Sequence, residues 1–260
     1  MKVTELWHYP IKSCAGVSLT QSFADKEGFS GDRRFQWVLD NGRFVTQREF
    51  PLLALFRASW NDETLELRYG ERLWCLSMKD FTEQRSVTIW SDEVVADAYN
   101  GSINLEVSEI IGVPVALVRM PYQGRPISDP RADGHVSFAD GFPFLLSNMQ
   151  SLAELNSRLV EPVTMSHFRA NIVIDGEAPY QEDDWEKVTI GDVVFRLAKP
   201  CSRCVMTTIN PVTAEKRMDA EPLKTLATYR MAEPGKIIFG MNMVVEEPGE
   251  VFVGDEVTLI

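Results

Sequence analysis

The stretch LAKPCSRCVMTTINP (residues 197–211) holds two cysteines, Cys201 and Cys204, within a run of apolar and β-branched residues. Such residues are typical of β-strands, so we predict that 204–209 is a strand. Similar runs recur along the chain and are separated by turn residues such as Asn41-Gly42. The pattern predicts a mainly β protein, an α+β chain of barrels or sandwiches with a few helices packed outside.

Strands and helices are predicted along the whole chain. Three helices are expected, and the second has apolar residues at a 3/4 spacing; they lie at 102–111, 148–159 and 221–230. The predicted strands lie at 35–40, 42–47, 64–69, 72–78, 86–90, 93–99, 115–120, 171–176, 188–197, 204–209, 237–246 and 256–260. We place a domain boundary near residue 115, which gives a smaller N-terminal domain at 1–115 and a second domain at 116–260.

The charge and composition exclude several classes of function. The chain has 260 residues and a net charge of −12, which argues against general nucleic-acid binding and against docking on anionic membranes. A local basic pocket for a small anion remains compatible with that charge. We find no apolar run long enough for a membrane helix and no secretory signal. Four cysteines are too few for a disulfide framework, so we expect a cytoplasmic protein.

The Cys201–Cys204 pair has four interpretations. Half of a zinc site needs two further ligands, whereas Cys14 and Cys75 are far apart in sequence and are expected to fill core space. A redox pair of the thioredoxin type lies at a strand-to-helix junction. Because we predict a strand after Cys204, this interpretation is disfavoured. Composition alone favours two buried cysteines acting as small hydrophobes. The fourth interpretation is one thiolate ligand to a soft transition metal carried by a prosthetic group.

Three separated segments favour the fourth interpretation because they resemble the signature segments of the MOSC family. They are LWHYPIKSCAG (6–16), SHFRANIVIDG (166–176) and PCSRCVMTTINPVTAEKR (200–217). The resemblance extends over roughly residues 1–260 and is greatest to the amidoxime-reducing members. It implies an N-terminal β-barrel domain followed by a β-barrel-like MOSC domain. It also implies a molybdenum–pterin cofactor and reduction of N-hydroxylated substrates such as hydroxylaminopurines, amidoximes and hydroxylamines.

The resemblance implies the residues of the site. Cys204, the second cysteine of CSRC, would be the catalytic thiolate that binds molybdenum, since thiolates suit a metal in sulfur surroundings. Cys201 would be a supporting or packing thiol, and on a strand its side chain would point to the other face. The phosphate of the pterin requires cations and amides. The implied cofactor contacts are Lys12, Ser13, Arg33, Arg34, Ser147, Arg169, Asn171, Ser202 and Arg203.

Some of these residues have a structural alternative. We expect one of Arg33 and Arg34 to face the pocket and the other to be solvated. Ser147 precedes the second predicted helix, where it would also serve as an N-cap. Arg125 lies in the long loop 121–141 and resembles a substrate-side arginine of the family, but a solvated loop residue is the alternative.

Partners follow from the same resemblance. Electrons would come from a separate donor protein or from a ferredoxin-like domain missing from this sequence, because no cysteine spacing here fits iron–sulfur ligation. The resemblance leaves open whether the pterin carries a nucleotide. The alternative function is a non-enzymatic carrier of the molybdenum cofactor or of sulfur.

Overall fold

The computed structural model describes residues 1–260 and confirms a mainly β architecture with three short α-helices. The helices are α1 (Ile103–Ile111), α2 (Met149–Arg158) and α3 (Leu223–Ala227). The strands of the first half are β1 (Val3–His8), β2 (Val17–Leu19), β3 (Gln21–Asp25), β4 (Gly28–Phe29), β5 (Phe35–Val38), β6 (Arg57–Trp60), β7 (Thr64–Tyr69), β8 (Arg72–Ser77), β9 (Phe81–Ile89), β10 (Asp92–Tyr99) and β11 (Ala116–Arg119). Those of the second half are β12 (Arg125–Pro126), β13 (His135–Val136), β14 (Phe144–Asn148), β15 (Ile172–Ile174), β16 (Lys187–Ile190), β17 (Val193–Ser202), β18 (Met231–Glu233), β19 (Lys236–Glu247), β20 (Gly249–Phe252) and β21 (Val257–Leu259).

Local chemistry sets the ends of the first two helices. α1 stops at Gly112, which adopts a left-handed φ of 81° and donates its N–H to the Ser108 carbonyl at 2.8 Å. α2 starts after Asn148, whose side chain accepts a hydrogen bond from the backbone N–H of Gln150. Both helices are confirmed close to their predicted bounds. The third is confirmed but shorter, and no helix combines the length and apolarity needed to cross a bilayer.

Two predicted strands are wrong. The segment predicted at 204–209 is a single 3₁₀ turn at Val205–Thr208. The hydroxyls of Thr207 and Thr208 donate to carbonyls three residues earlier, at 3.0 and 2.8 Å. These threonines therefore stabilise a turn instead of a strand. The segment predicted at 42–47 makes only isolated bridges, at Arg43 and Phe44.

Two cores organise the molecule. A nine-stranded sheet in the order β2-β1-β15-β14-β19-β17-β16-β21, with β18 beside β19, packs around buried residues that include Phe144 and Phe195. The β14–β15 pair is parallel, and its neighbouring pairs are antiparallel. The sheets β5-β11-β10-β9 and β6-β7-β8 enclose a second core around Phe35, Trp37 and Phe56, against which α1 packs.

The sheets exchange strands between the two halves of the sequence. β1 pairs with β15, where Leu6 lies opposite Ile172, and β3 pairs with β20, where Ser22 lies opposite Val251. β11 follows the boundary placed near 115 but pairs with β5 and β10 of the first half. That boundary therefore divides the sequence but not the sheets. The chain passes between the two cores several times, among them after β1, after β4 and after β11, and residues that follow these strands meet in one pocket.

Candidate active site

A pocket of about 420 Å³ is lined by residues from both halves of the chain. Its lining holds six cationic side chains and a single carboxylate, that of Asp140. The cations are Lys12, Arg33, Arg48, Arg169, Lys199 and Arg203. In a chain whose net charge is −12, this concentration of positive charge indicates a site for an anionic ligand.

Arg33 and Arg169 share an aromatic support. Their guanidinium carbons lie 4.5 and 4.1 Å from the ring centroid of Tyr9, within cation–π range. Arg33 is paired with Asp32, whereas Arg169 donates to the carbonyl of Cys14 at 2.6 Å and has no carboxylate partner. Burial lowers the pKa of Arg169 to about 10, because the charged form loses its hydration. A bound anion would supply the counter-charge that the protein does not.

Asn171 positions Arg33 in this wall. Its Oδ1 accepts hydrogen bonds from Arg33 Nη1 at 3.0 Å and from the backbone N–H of Leu145 at 3.3 Å. Its Nδ2 donates to the Trp7 carbonyl at 3.1 Å, and the residue is 1% exposed. Because three protein groups already use this amide, its main effect on a ligand is exerted through Arg33.

Three predicted cofactor contacts of the pocket have left-handed backbone conformations, as does Trp90, which also lines it. The φ angles are 64° at Ser13, 48° at Arg33 and 56° at Arg169. Each such conformation costs a non-glycine residue on the order of 1–3 kcal/mol and persists only where its surroundings hold it. Backbone strain of this kind is concentrated at binding sites. Because three predicted cofactor contacts share this strain, the backbone geometry supports a binding role for the pocket.

The CSRC segment supplies both thiols of the pocket. β17 ends at Ser202, so strand alternation stops between the cysteines, and both side chains line the pocket. Cys204 Sγ accepts a hydrogen bond from Arg48 Nε at 3.4 Å, and Cys201 Sγ accepts one from Arg203 Nη1 at 2.9 Å. The two thiols are thus held by different guanidiniums. Ser202 and Arg203, between them, also line the pocket.

The other interpretations of the cysteines can be compared with the geometry. No group of three or more His, Cys, Asp or Glu side chains is arranged to hold a metal ion, so a zinc site lacks its further ligands. The 3₁₀ turn after Cys204 removes the strand-based argument against a redox pair, although each thiol has its own guanidinium partner. Cys14 is buried as expected. Cys75 is exposed, because it lies on the outward face of β8, and its predicted core role is wrong.

Two predicted cofactor contacts lie outside the pocket. Arg34 Nη1 pairs with Glu27 at 2.9 Å, and its guanidinium lies 5.1 Å from the Tyr122 ring centroid. Ser147 lies within β14, is fully buried, and has no hydrogen-bond partner for its hydroxyl. The N-cap of α2 is Asn148, so the alternative N-cap role of Ser147 is wrong. Of the adjacent pair of arginines, Arg33 is the one that faces the pocket.

Arg125 is neither a solvated loop residue nor part of the pocket wall. It is 3% exposed, so it is not a solvated loop residue, and it does not line the pocket. Its Nη2 donates to the carbonyls of Ala139 and Asp140 at 2.6 and 3.0 Å, while Nη1 pairs with Asp92. Arg125 therefore holds the loop that carries the one carboxylate of the pocket.

Several residues of the pocket were not predicted, and four of them bear on its chemistry: Arg48, Trp90, Asp140 and Lys199. Enclosure raises the pKa of Asp140, but the charges of Lys12 and Arg48 outweigh this and hold that pKa below its usual range. The length of loop 121–141 was the one available signal for Asp140. No local pattern separates Arg48 or Lys199 from a solvated cation, and no pattern singles out Trp90.

Comparison with known proteins identifies the family of the chain. The MOSC N-terminal beta barrel domain matches residues 1–114, and the MOSC domain matches residues 133–258. The chain is 35% identical over 280 residues to mitochondrial amidoxime-reducing component 1 of Homo sapiens, covering 99% of this chain and 82% of the relative. Its identity to the Mus musculus protein of that name is 33% over 279 residues, with the same coverage. It is 32% identical over 269 residues to molybdenum cofactor sulfurase of Oryza sativa subsp. japonica, covering 92% of this chain and 32% of the relative. The chain belongs to the MOSC family, as a protein in which the MOSC N-terminal β-barrel domain precedes the MOSC domain.

Proposed function

We propose that this protein is a molybdenum-cofactor-dependent oxidoreductase that reduces N-hydroxylated compounds. The observation that carries the proposal is the pocket in which six cations surround an accessible cysteine thiol, in a chain 35% identical to an amidoxime-reducing component. We assign the molybdenum ligand to Cys204 and the electron supply to a donor protein or to a ferredoxin-like domain outside these 260 residues.

The residues of the pocket fit a molybdenum–pterin group. The phosphate and dithiolene of that group are anionic, and charge-assisted hydrogen bonds from arginine and lysine suit both. Arg203 Nε is buried without a protein partner, which leaves a donor for a ligand. The proposed cofactor contacts are Lys12, Ser13, Arg33, Arg169, Ser202 and Arg203, with Asn171 holding Arg33. Arg34 and Ser147 are left out because they lie outside the pocket.

The reaction converts R–NHOH, two electrons and two protons into R–NH₂ and water. When bound, the molybdenum centre supplies the electron pair that breaks the N–O bond. Cys204 faces the pocket with Arg48 donating to its sulfur. Asp140 remains ionised, so its carboxylate can accept hydrogen bonds from the N–H groups of an amidoxime or an amino-substituted base.

The test combines metal analysis with turnover. The protein is isolated with its native cofactor, molybdenum is counted per chain, and reduction of a hydroxylaminopurine and of benzamidoxime is followed with a chemically reduced viologen as the electron donor. Molybdenum near one per chain together with turnover supports the proposal. Molybdenum without turnover, but with transfer to an acceptor apoprotein, would instead support the carrier function, which the similarity to the sulfurase keeps as the alternative.

A further inference from the structure

Trp90 lines the pocket while its side chain stays 52% exposed. It lies in the short turn between β9 and β10, next to Ile89, the last residue of β9. Its φ is 56°, and for so bulky a residue the left-handed region is a true outlier. A strained turn that holds a large aromatic side chain at the edge of a pocket calls for a functional explanation.

Three neighbours fix the orientation of this indole. Its Nε1 donates to Asp140 Oδ1 at 3.2 Å, the Phe44 ring lies edge-on with centroids 5.3 Å apart, and the Arg48 guanidinium lies 4.9 Å from its centroid. Arg48 is also the residue that donates to Cys204 Sγ at 3.4 Å. The indole is therefore held in place with Arg48 against its ring, about half of the residue remains open to solvent, and Arg48 connects it to the proposed metal ligand.

We infer that Trp90 is a stacking platform that selects N-hydroxylated substrates with a planar, conjugated ring. This inference rests on the proposed function and names the substrate class of the same site. Stacking of a planar base on an aromatic side chain strengthens binding on the order of tenfold or more. The carboxylate of Asp140 lies beside the platform and accepts from N–H groups, so a ring on Trp90 and an N–H on Asp140 give recognition at two points. An aliphatic substrate can use only the second.

Two substrates isolate the contribution of the ring. Benzamidoxime and acetamidoxime carry the same N–O group and differ in having a phenyl or a methyl substituent. We expect the wild-type protein to prefer benzamidoxime in kcat/KM. Trp90→Ala should reduce that preference about tenfold, mainly through KM, and Trp90→Phe should keep most of it. Tyr122→Ala is the matched control, since Tyr122 is an aromatic residue 81% exposed outside the pocket.

Equilibrium binding separates this inference from the proposed function. Calorimetry with benzamidine and acetamidine, the amidines formed from these substrates, needs no turnover of the molybdenum-loaded protein. If the wild type binds benzamidine more tightly than acetamidine and Trp90→Ala loses this preference, the platform is supported. If amidoxime turnover is absent in the same protein, the reductase proposal fails while the platform stands. Equal weakening of both amidines in Trp90→Ala, or no preference in the wild type, would overturn the platform. Loss of molybdenum from Trp90→Ala would also overturn it, because the indole would then support the cofactor.

Discussion

Cys204 and Cys201 are chemically identical side chains whose replacement should have different consequences. Cys204→Ser replaces a soft sulfur donor with a hard and mostly protonated hydroxyl. We expect turnover to collapse even where the cations of the pocket retain the pterin. Cys201→Ser should be milder, because that thiol packs beside the site and accepts from Arg203 without supplying the metal bond. The measurement is molybdenum per chain and the rate per molybdenum in both variants.

The pattern of the two losses decides the assignment. Equal losses would indicate that the cysteines act as a pair. A loss confined to Cys201→Ser would reverse the roles of the two thiols. Retained activity in Cys204→Ser would remove the thiolate mechanism and leave the carrier function in front.

Arg169 should matter for cofactor retention more than for folding. Its side chain makes one hydrogen bond within the protein, to the Cys14 carbonyl, so Arg169→Ala should leave the fold intact while removing a buried cation. Loss of its charge-assisted hydrogen bonds to an anion would cost about 1.5–3 kcal/mol of binding. We expect molybdenum per chain to fall in this variant. Arg34→Ala is the matched control and should retain its molybdenum, since Arg34 lies outside the pocket; full occupancy in Arg169→Ala would contradict the assignment.

Cys14 should make the protein sensitive to alkali. Burial raises the pKa of this thiol from 9.0 to about 12, so the unfolded chain loses the proton first. Ionisation of Cys14 therefore leaves the free energy of unfolding unchanged below about pH 8 and lowers it as the pH rises toward 12. Between pH 8 and 10 the expected loss from this group is about 1 kcal/mol. Tyr9, whose pKa is raised from 10.0 to about 12, adds a smaller loss of the same sign near pH 10, but it does so equally in the wild type and in a variant without the Cys14 thiol.

Denaturant unfolding at pH 8 and at pH 10 measures this effect. The wild type should lose about 1 kcal/mol more than Cys14→Ala between the two pH values. The cavity left by Cys14→Ala lowers the free energy of unfolding equally at both pH values, so it cancels when the change between them is compared. The same pH dependence in both proteins would show that Cys14 ionises freely in the folded state.

Among the elements, β19 depends on a glycine at its closest approach to β14. A Cβ atom at Gly240 would lie 2.5 Å from the Leu146 carbonyl oxygen and 2.6 Å from Ser147 Oγ. Gly235 has a similar φ, 78° against 75°, but no atom within 4 Å of the same position. Gly235→Ala should cost about 1–2 kcal/mol through its backbone conformation alone. Gly240→Ala should cost about 1–3 kcal/mol more, because a central strand must shift.

Chemical denaturation of both variants separates the two costs. The difference between them reports the steric clash, since the left-handed conformation is common to both glycines. Equal destabilisation would mean that β14 relaxes without penalty and that the close approach is not a constraint on the sheet.

Elements with a local signature could be predicted from the sequence. The apolar spacing of α2 and the glycine that ends α1 are properties of neighbouring residues. The segment 204–209 could not be predicted in this way, because Thr207 and Thr208 favour a strand by composition but donate to backbone carbonyls in a turn. Strand propensity alone does not distinguish a threonine in a strand from one whose hydroxyl stabilises a turn.

The same limit applies to the site. The family resemblance implied Lys12, Arg33, Arg169 and Cys204, which the fold brings into one pocket. Arg48 and Asp140 were missed because they belong to connections that only the tertiary structure places beside the thiol. The choice between Arg33 and Arg34 required the backbone, since adjacent arginines are equivalent by sequence.

In the whole molecule, the exchange of strands makes the two halves of the sequence interdependent. Residues 116–260 alone would lack β1 and β3, and their partners β15 and β20 would lose one neighbour each. We expect a 116–260 fragment to unfold without cooperativity and to bind a hydrophobic dye, since Ile172 and Ile174 would lose the strand that covers them. Circular dichroism during denaturant titration, with the full chain as the control, makes the comparison. A cooperative transition in the fragment would contradict the interdependence.

The pairing of β1 with β15 also has a consequence for biosynthesis. Leu6 lies opposite Ile172 and Ser22 opposite Val251, so β1 and β3 are translated well before the strands with which they pair. At about 5–20 residues per second, β1 waits roughly 10–30 s for its partner to be translated. Throughout that delay its backbone donors, acceptors and apolar face are open to other nascent chains. We expect newborn chains to depend on a ribosome-associated chaperone, and the yield of native protein to vary with the speed of translation.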